Sequence, residues 1–278
     1  MRLRPNFHFS QNNLQDFLDC PRRFELLHLL QLPWPAVQSE PVLEQERHME
    51  LGQRFHQLVH QHQLGVPVDI IQAGIGDSDL AVWWHEYLAN SPRNLPEKRY
   101  PEWILSTPFA GYRLVAKYDL LAIEPGKQAF IVDWKTNRHR PKSHDLENRI
   151  QTRLYRYLLV QAGDHLYGVT PIKPEDVEMI YWFTASSQHP LSIAYTQLAC
   201  EEDGAILQQL ISEIHALCES PNPFPLTLDE NKCKFCKYRT LCDRGILPGE
   251  MTDAGDEQEV DELQSFQLDF EQIGEIEF

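Results

Sequence analysis

Apolar residues recur at helical spacing through the first third of the chain. Ser10 is a candidate N-cap, and Phe9 and Leu14 occupy the positions of a hydrophobic staple. The helical period continues from there to Leu30, and Pro33 predicts its end. The same period predicts two further helices, over residues 44–63 and 79–88.

The pattern then changes to β-rich segments separated by turn residues. Ala110-Gly111 and Pro125-Gly126 divide three such segments, which predicts an antiparallel meander. The segments cover residues 99–109, 112–123 and 128–136. A helix, a strand and a second helix are predicted after them, over residues 145–162, 177–184 and 196–218. This order favours an α/β or α+β fold with a helical N-terminal segment.

The composition is that of an ordinary globular protein. Hydrophobic residues make up 42% and charged residues 24% of the 278 residues, which excludes a wholly disordered, collagen-like or coiled-coil chain. No apolar run is long enough for a transmembrane helix, and none near Met1 resembles a secretory signal. Six cysteines are too few for a disulfide scaffold. We therefore expect a cytoplasmic protein.

The net charge of −16 is concentrated at the C-terminal end. Residues 249–278 contain eleven acidic residues and no Lys or Arg, so residues 1–248 carry 30 acidic and 25 basic side chains. This contrast predicts a domain over 1–248 and an acidic, flexible tail, which is a disordered end, binds a partner or folds back on the domain. A local basic groove remains possible, because salt screens charges beyond roughly 8–10 Å.

The main candidate for chemistry is Asp133-Trp134-Lys135, at the end of an apolar strand. Alternate side chains of a strand share a face, so Asp133 and Lys135 point the same way as Ala129 and Ile131. The ordinary alternative for such a pair is a solvated ion pair at a strand end.

A second carboxylate changes the weight of these alternatives. Asp119 ends another apolar strand, where an unpaired charge is costly. If the two strands are neighbours, Asp119 and Asp133 converge, and two carboxylates suit Mg²⁺ or Mn²⁺. With Lys135 near a bound water, this set of groups suits metal-assisted phosphodiester hydrolysis.

Two helices add polar groups to this set. Gln151 and Tyr155 are four residues apart and share one helical face. His56 lies beside the apolar face of the second predicted helix, where a lone histidine is more often structural than a ligand.

The remaining candidate cluster is formed by cysteines. Three of them have the spacing C-x2-C-x5-C, at Cys233, Cys236 and Cys242. A zinc ribbon would have a second C-x2-C, and this chain has none. The distant Cys20 is therefore the best candidate for a fourth ligand, whereas Cys200 and Cys218 are interpreted as buried apolar residues.

The order and spacing of four motifs resemble those of the RecB-like branch of the PD-(D/E)xK nuclease superfamily. The motifs are Gly52…His56, Asp119, Asp133-Trp134-Lys135 and Gln151-x-x-x-Tyr155. The resemblance covers most of residues 9–243 and implies a restriction-endonuclease-like core, a mixed β-sheet flanked by helices. It implies a catalytic core over 99–186, between a helical part (1–95) and a helix with the cysteine cluster (195–245).

The resemblance also implies roles for the site residues. A divalent metal, Mg²⁺ or Mn²⁺, would be held by Asp119, Asp133, His56 and the backbone carbonyl of Trp134. Lys135 would position or polarise the attacking water, and Gln151 and Tyr155 would orient this lysine or the DNA phosphate. Glu102 matches an acidic position often found on the first strand of the family, although it also fits an ordinary surface charge on an edge strand.

The cysteine pattern resembles that of AddB-type nuclease domains and CRISPR-associated RecB-like exonucleases. In those proteins four cysteines hold a [4Fe-4S] cluster, which implies the same structural role for Cys20, Cys233, Cys236 and Cys242. Zn²⁺ at these four cysteines is the alternative.

Basic residues lie near both predicted sites. Arg138 and Arg140 follow Lys135, and Arg22 and Arg23 follow Cys20. They are interpreted either as solvated surface charges or as a groove that follows the phosphates of DNA, most easily of a single strand.

Together these features predict a metal-dependent DNA nuclease, an exonuclease preferring single strands, that acts in DNA repair. The chain contains no G-x-x-x-x-G-K-S/T segment, so a helicase or another repair protein would be a separate partner. The alternative is a non-catalytic DNA-binding or scaffold module that keeps the fold and the cluster. The presence of Asp119, Asp133 and Lys135 favours the enzyme.

Overall fold

The computed structural model describes residues 3–4, 6–33, 40–138 and 140–245. The acidic tail over 249–278, with its predicted partner binding, lies outside the described residues. In the described part of the chain, no helix combines the length and the apolar character needed to cross a membrane.

The elements alternate between helices and one sheet. The helices are α1 (Gln11–Asp19), α2 (Pro21–Phe24), α3 (Glu40–Gln63), α4 (Val68–Ala73), α5 (Ser78–Asn90), α6 (Ser143–Glu147), α7 (Ile150–Ala162), α8 (Asp164–Tyr167) and α9 (Gln197–Glu219). The strands are β1 (His8–Phe9), β2 (Lys98–Phe109), β3 (Tyr112–Glu124), β4 (Gln128–Lys135), β5 (Val177–Phe183) and β6 (Leu191–Ala194).

The strands form one mixed sheet in the order β1-β3-β4-β5-β6, and β2 also pairs with β3. The pairs β2–β3 and β3–β4 are antiparallel, which confirms the predicted meander. The pairs β1–β3 and β4–β5 are parallel. The helices flank this sheet, and the architecture is the restriction-endonuclease-like α/β fold.

Each face of the sheet carries its own apolar core. The α7 face is the one whose core contains Leu154 and Leu158 of α7, and the α3 face is the one whose core contains Phe55 of α3. On β4, Ala129 and Ile131 belong to the α7 face, whereas Val132 and Trp134 belong to the α3 face. This alternation confirms the predicted facing of β4 and directs Asp133 and Lys135 toward α7.

The N-terminal helix is interrupted at a cysteine. Ser10 is the N-cap of α1, and the Asn13 side chain accepts a hydrogen bond of 3.0 Å from its backbone N–H. The prediction of one helical run up to Leu30 is wrong at Cys20, which is extended with φ −162°. Pro21 causes this break, because its ring crowds the preceding residue out of the helical conformation. After α2, the chain continues in a π-helical turn over Glu25–Leu29.

The helix predicted over 145–162 is also divided. Asn148 ends α6, and its side-chain amide donates a hydrogen bond of 2.8 Å to the His144 carbonyl. Such bonds compete with the helical ladder and favour a helix end. Arg149 is extended with ψ 143°, and α7 starts at Ile150. Gln151 therefore lies in the first turn of α7.

A buried ion-pair network fastens α7 to α9. Asp203 of α9 is fully buried, and its two carboxylate oxygens accept hydrogen bonds from Arg153 (2.7 Å) and Arg156 (3.2 Å). The Arg156 guanidinium also lies over the Tyr195 ring, 4.4 Å from its centroid. This network holds the outer side of the helix that carries Gln151.

We expect Asp203→Ala to lower the free energy of unfolding by about 3–5 kcal/mol, because it leaves the buried Arg156 charge without its carboxylate. Urea titration followed by circular dichroism would measure the change. Glu202→Ala is the matched control, since Glu202 is the exposed neighbour of Asp203 on the same helix, and it should cost less than about 0.5 kcal/mol. A cost for Asp203→Ala as small as that of the control would contradict the assigned role.

Candidate active site

Three acidic residues form a row across three neighbouring strands. In the register of β2 and β3, Glu102 stands opposite Asp119. The β3–β4 ladder ends at Leu120 and Val132, so Asp119 and Asp133 are the next residues of the two strands beyond the last pair. We call Glu102, Asp119 and Asp133 the acid row. The pairing confirms that the two strands are neighbours. The convergence of the two carboxylates on one metal stays a prediction.

The alternation of side chains between the two faces of the sheet is interrupted at the acid row, and we call this interruption the phase change. On β3, Tyr118 and Leu121 both contribute to the core on the α7 face although they are three positions apart. Regular alternation has a period of two, so the strand shifts face between these residues. Opposite the shift, Glu102 has φ +53°, a conformation that side chains other than glycine rarely adopt. Strained residues of this kind cost about 1–3 kcal/mol and cluster at functional sites.

Two residues of the acid row approach a histidine of α3. His56 Nδ1 lies 3.4 Å from Asp119 Oδ1, and ligand atoms of His56, Glu102 and Asp119 all lie within 4.8 Å of one another. Glu102 also forms an ion pair with Lys117. Two carboxylates and an imidazole at this separation fit a divalent cation, so the site is a possible metal centre.

The surroundings of Asp119 favour its ionised form. Burial acts to raise the pKa of this carboxyl, but His56, the Trp134 N–H and Lys135 outweigh it and hold the pKa below its usual value. The Trp134 backbone N–H donates a hydrogen bond of 2.9 Å to Asp119 Oδ2. The carboxylate is therefore charged and oriented at neutral pH.

The third member of the acid row belongs to a closed polar triangle. Lys135 Nζ lies 3.0 Å from Asp133 Oδ2 and donates a hydrogen bond of 3.0 Å to Gln151 Oε1. The Gln151 amide nitrogen donates a bond of 2.7 Å to Asp133 Oδ1. One amide thus uses both of its ends to fix the carboxylate and the ammonium relative to each other.

The other predicted site residues are placed around this triangle. Tyr155 lies in the core of the α7 face, where its ring is 4.9 Å from that of Tyr118 and its carbonyl accepts a bond from the Tyr118 hydroxyl. The Trp134 indole belongs to the core of the α3 face. Metal ligation by the Trp134 carbonyl stays a prediction.

The four predicted DNA-binding arginines have different surroundings. Arg138 and Arg140 are exposed in the segment after β4, and Arg140 donates a bond of 2.7 Å to the His189 carbonyl. Arg22 is paired with Glu25. Arg23 is bound by two carboxylates, Asp16 at 2.8 Å and Asp19 at 2.6 Å, which the sequence analysis did not anticipate. Arg138 and Arg140 are therefore more accessible to a ligand than Arg22 and Arg23, which are paired with carboxylates.

The sequence analysis gave Glu102 too little weight. A signal for it was present, because the Ala110-Gly111 turn pairs Phe109 with Tyr112. Counting back along both strands from this turn brings position 102 opposite position 119.

Four cysteines from the two ends of the domain line one cavity. Cys20, Cys233, Cys236 and Cys242 share it with Arg23 and Tyr238. Burial raises the pKa of Cys233 to about 11 and also raises the pKa of Cys236 and of Cys242. Thiolates in this cavity therefore need a compensating positive charge.

Further hydrogen bonds and a ring contact hold the same two chain segments together. The Arg22 N–H donates a hydrogen bond of 3.1 Å to the Pro225 carbonyl, and the Tyr238 hydroxyl donates one of 2.9 Å to the Leu32 carbonyl. Phe24 stacks on Phe224 with ring centroids 6.3 Å apart. Cys200 and Cys218 are buried elsewhere, as predicted.

We expect Glu102→Gln to weaken Mn²⁺ binding by about 10- to 100-fold, because it removes one anionic ligand and leaves the shape nearly unchanged. Isothermal titration calorimetry of the protein with Mn²⁺ would measure the affinity. Glu97→Gln provides the matched control, since Glu97 is exposed just before β2 and its substitution should leave the affinity unchanged. If Glu102→Gln and Glu97→Gln bind Mn²⁺ with equal affinity, Glu102 is not a ligand of the metal centre.

A mixed sheet that presents an acid row beside a lysine, between flanking helices, defines a nuclease fold. The family model of the PD-(D/E)XK nuclease superfamily matches residues 8–243, and the chain belongs to this superfamily. Its members usually use divalent metals, which agrees with the group formed by His56, Glu102 and Asp119.

Two solved structures are similar to this chain over most of its length, and both are distant in sequence. A candidate exonuclease from Eubacterium rectale is 14% identical with a TM-score of 0.50, over 89% of this chain and 93% of that chain. The crystal structure of the protein SSO0001 is 13% identical with a TM-score of 0.44, over 88% of this chain and 90% of that chain. None of the curated proteins matches the sequence.

Proposed function

We propose that this protein is a metal-dependent deoxyribonuclease that hydrolyses phosphodiester bonds. The observation that carries the proposal is the acid row beside Lys135, whose ammonium is held by Asp133 and Gln151. Carboxylates for a cation and a fixed lysine are the groups that such hydrolysis needs.

His56, Glu102 and Asp119 would hold the cation, and Asp133 and the Trp134 carbonyl would complete its ligands from the neighbouring strand. Bound there, Mg²⁺ or Mn²⁺ would stabilise the negative charge that develops on the phosphate oxygens. The carboxylate oxygens suit both ions, and the imidazole adds a donor that a purely oxygen site lacks. Asp119 enters the complex already ionised, because its neighbours lower its pKa.

Lys135 would position the attacking water and contact the scissile phosphate. Asp133 and Gln151 keep its ammonium in one place, so little side-chain entropy remains to be lost when the substrate binds. Tyr155 would act through the packing of α7, since its ring contacts Tyr118 next to the acid row.

The substrate would be DNA, attacked as a single strand from an end and leaving 5′-phosphates, as the family resemblance implies. The exposed Arg138 and Arg140 follow the β4 strand that carries Lys135 and would contact the DNA phosphates. The role would be in cytoplasmic DNA repair or processing, beside a separate helicase or another repair protein.

The cysteine cavity would hold a structural [4Fe-4S] cluster. Its four candidate ligands come from both ends of the described domain, as in the four-cysteine nucleases that the sequence resembles. Zn²⁺ at the same four cysteines is the alternative.

The full-length protein, purified without oxygen, should cleave end-labelled linear single-stranded DNA when Mg²⁺ or Mn²⁺ is added. Cleavage should stop when EDTA is added, and circular single strands should resist because they have no end. Binding of DNA without cleavage in either metal would support the alternative, a non-catalytic DNA-binding or scaffold module. Cleavage that continues in EDTA would contradict metal dependence.

A further inference from the structure

Two aromatic side chains lie on the strand that carries Glu102. Tyr100 and Trp103 of β2 contact each other with ring centroids 5.2 Å apart and ring planes inclined by 58°. Trp103 is 36% exposed, and among the large hydrophobic side chains exposed in residues 3–4, 6–33, 40–138 and 140–245 it is the only aromatic one. The exposed part of this large apolar ring is available for contact with a ligand.

The phase change at the acid row creates this aromatic pair. Tyr100 and Trp103 are three positions apart and would point to opposite faces of a regular strand. Glu102 lies between them with φ +53°. The register places Tyr100 beside Leu121 and Trp103 beside Tyr118, two residues of the core on the α7 face. The backbone conformation that directs Glu102 toward His56 thus also brings both rings to the face that carries Lys135.

An aromatic pair with one partly exposed ring, beside a phosphate-cleaving site, suits one class of ligand. A nucleobase stacks on an aromatic side chain without regard to its identity, provided that the base is not already paired. The bases of duplex DNA are covered by their neighbours and cannot use such a surface.

We propose that Tyr100 and Trp103 form a stacking platform for an unpaired base of the strand whose phosphate lies at the acid row. This inference rests on the proposed nuclease function and assigns the preference for single strands to two named residues. The platform holds the base while the acid row and Lys135 hold the adjoining phosphate.

The test compares DNA affinities without divalent metal, so that no cleavage occurs. The probes are a fluorescent oligothymidylate and an abasic strand of equal length, measured by anisotropy at fixed salt. Trp103→Ala and Trp103→Leu should bind the oligothymidylate about 10-fold more weakly than the wild type, and Trp103→Phe should bind it nearly as well. All four proteins should bind the abasic strand with affinities within about two-fold, since it has no bases to stack.

Two comparisons make the test decisive. Leu198→Ala removes an exposed apolar side chain from α9 and should change neither affinity. Thermal unfolding of each variant shows whether the fold is kept, and Trp103→Phe preserves the ring if the smaller residues destabilise the strand.

Cleavage by the wild type in Mg²⁺ is measured on the same preparation. Suppose that the wild type cleaves DNA while Trp103→Leu binds oligothymidylate with the wild-type affinity. That result would contradict the stacking platform and leave the proposed nuclease function intact. An equal loss of affinity for both strands would also overturn the platform. If the wild type neither binds nor cleaves DNA, the proposed function fails, and the platform fails with it.

Discussion

Lys135→Ala is expected to reduce the rate of DNA hydrolysis by about 10²- to 10³-fold, the loss seen when one preorganised polar group is removed from a transition-state site. The ammonium is fixed by Asp133 and Gln151, and alanine removes it from this triangle. Single-turnover cleavage of labelled DNA in saturating Mg²⁺ measures the chemical step. The affinity for DNA should change far less than the rate.

Lys127→Ala is the matched control for this variant. Lys127 precedes the same strand and forms an exposed ion pair with Glu124 in the turn before it, so its removal should leave the rate unchanged. Thermal unfolding must show that Lys135→Ala is folded. A folded Lys135→Ala protein that cleaves at the wild-type rate would show that the site lies elsewhere.

Cys236→Ser is expected to cause the largest loss of stability. A serine oxygen is a poor replacement for a thiolate ligand, so the protein should lose the iron of the proposed cluster together with the link that this cluster would form between the two chain segments. Structural metal sites contribute many kcal/mol, and we expect Tm to fall by at least about 10 °C. Iron analysis, the visible spectrum and differential scanning calorimetry on one anaerobic preparation measure both effects.

Cys218→Ser is the matched control, because it replaces a buried thiol that is not a predicted cluster ligand. Cys218 is buried outside the cavity, so this variant should keep its iron and lose only about 1–3 kcal/mol from burying a hydroxyl. About four irons per wild-type chain are expected. A wild-type protein that contains one zinc and no iron would show that the four cysteines bind Zn²⁺ and hold no cluster. Full iron content in Cys236→Ser would remove Cys236 from the site.

Much of the sheet could be predicted, because its signals are local. Turn residues at Ala110-Gly111 and Pro125-Gly126 set the hairpins, and the strict alternation of β4 set the direction of Asp133 and Lys135. These features depend on residues close in sequence. The short strands β1 and β6 were not predicted, because two and four residues carry too little pattern.

The breaks in the helices and the phase change could not be predicted from periodicity. The apolar period of residues 14–30 continues past Cys20, although Pro21 interrupts the helix there. The left-handed conformation of Glu102 occurs where its side chain approaches Asp119 and His56, and contacts between such distant residues leave no periodic pattern. Likewise, the carboxylates that bind Arg23 belong to α1, and only tertiary packing shows how close they lie.

The packing of the first helices on the last segments sets the order in which the chain can fold during synthesis. Phe24 stacks on Phe224, which is made 200 residues later. At about 5–20 residues per second, a ribosome needs roughly 10–40 s to cover this interval. During that time the apolar side of α1 and α2 has emerged without its final cover. During synthesis α1 and α2 are therefore exposed to aggregation, and a chaperone that binds Phe17 and Phe24 would protect them until residue 224 has been made.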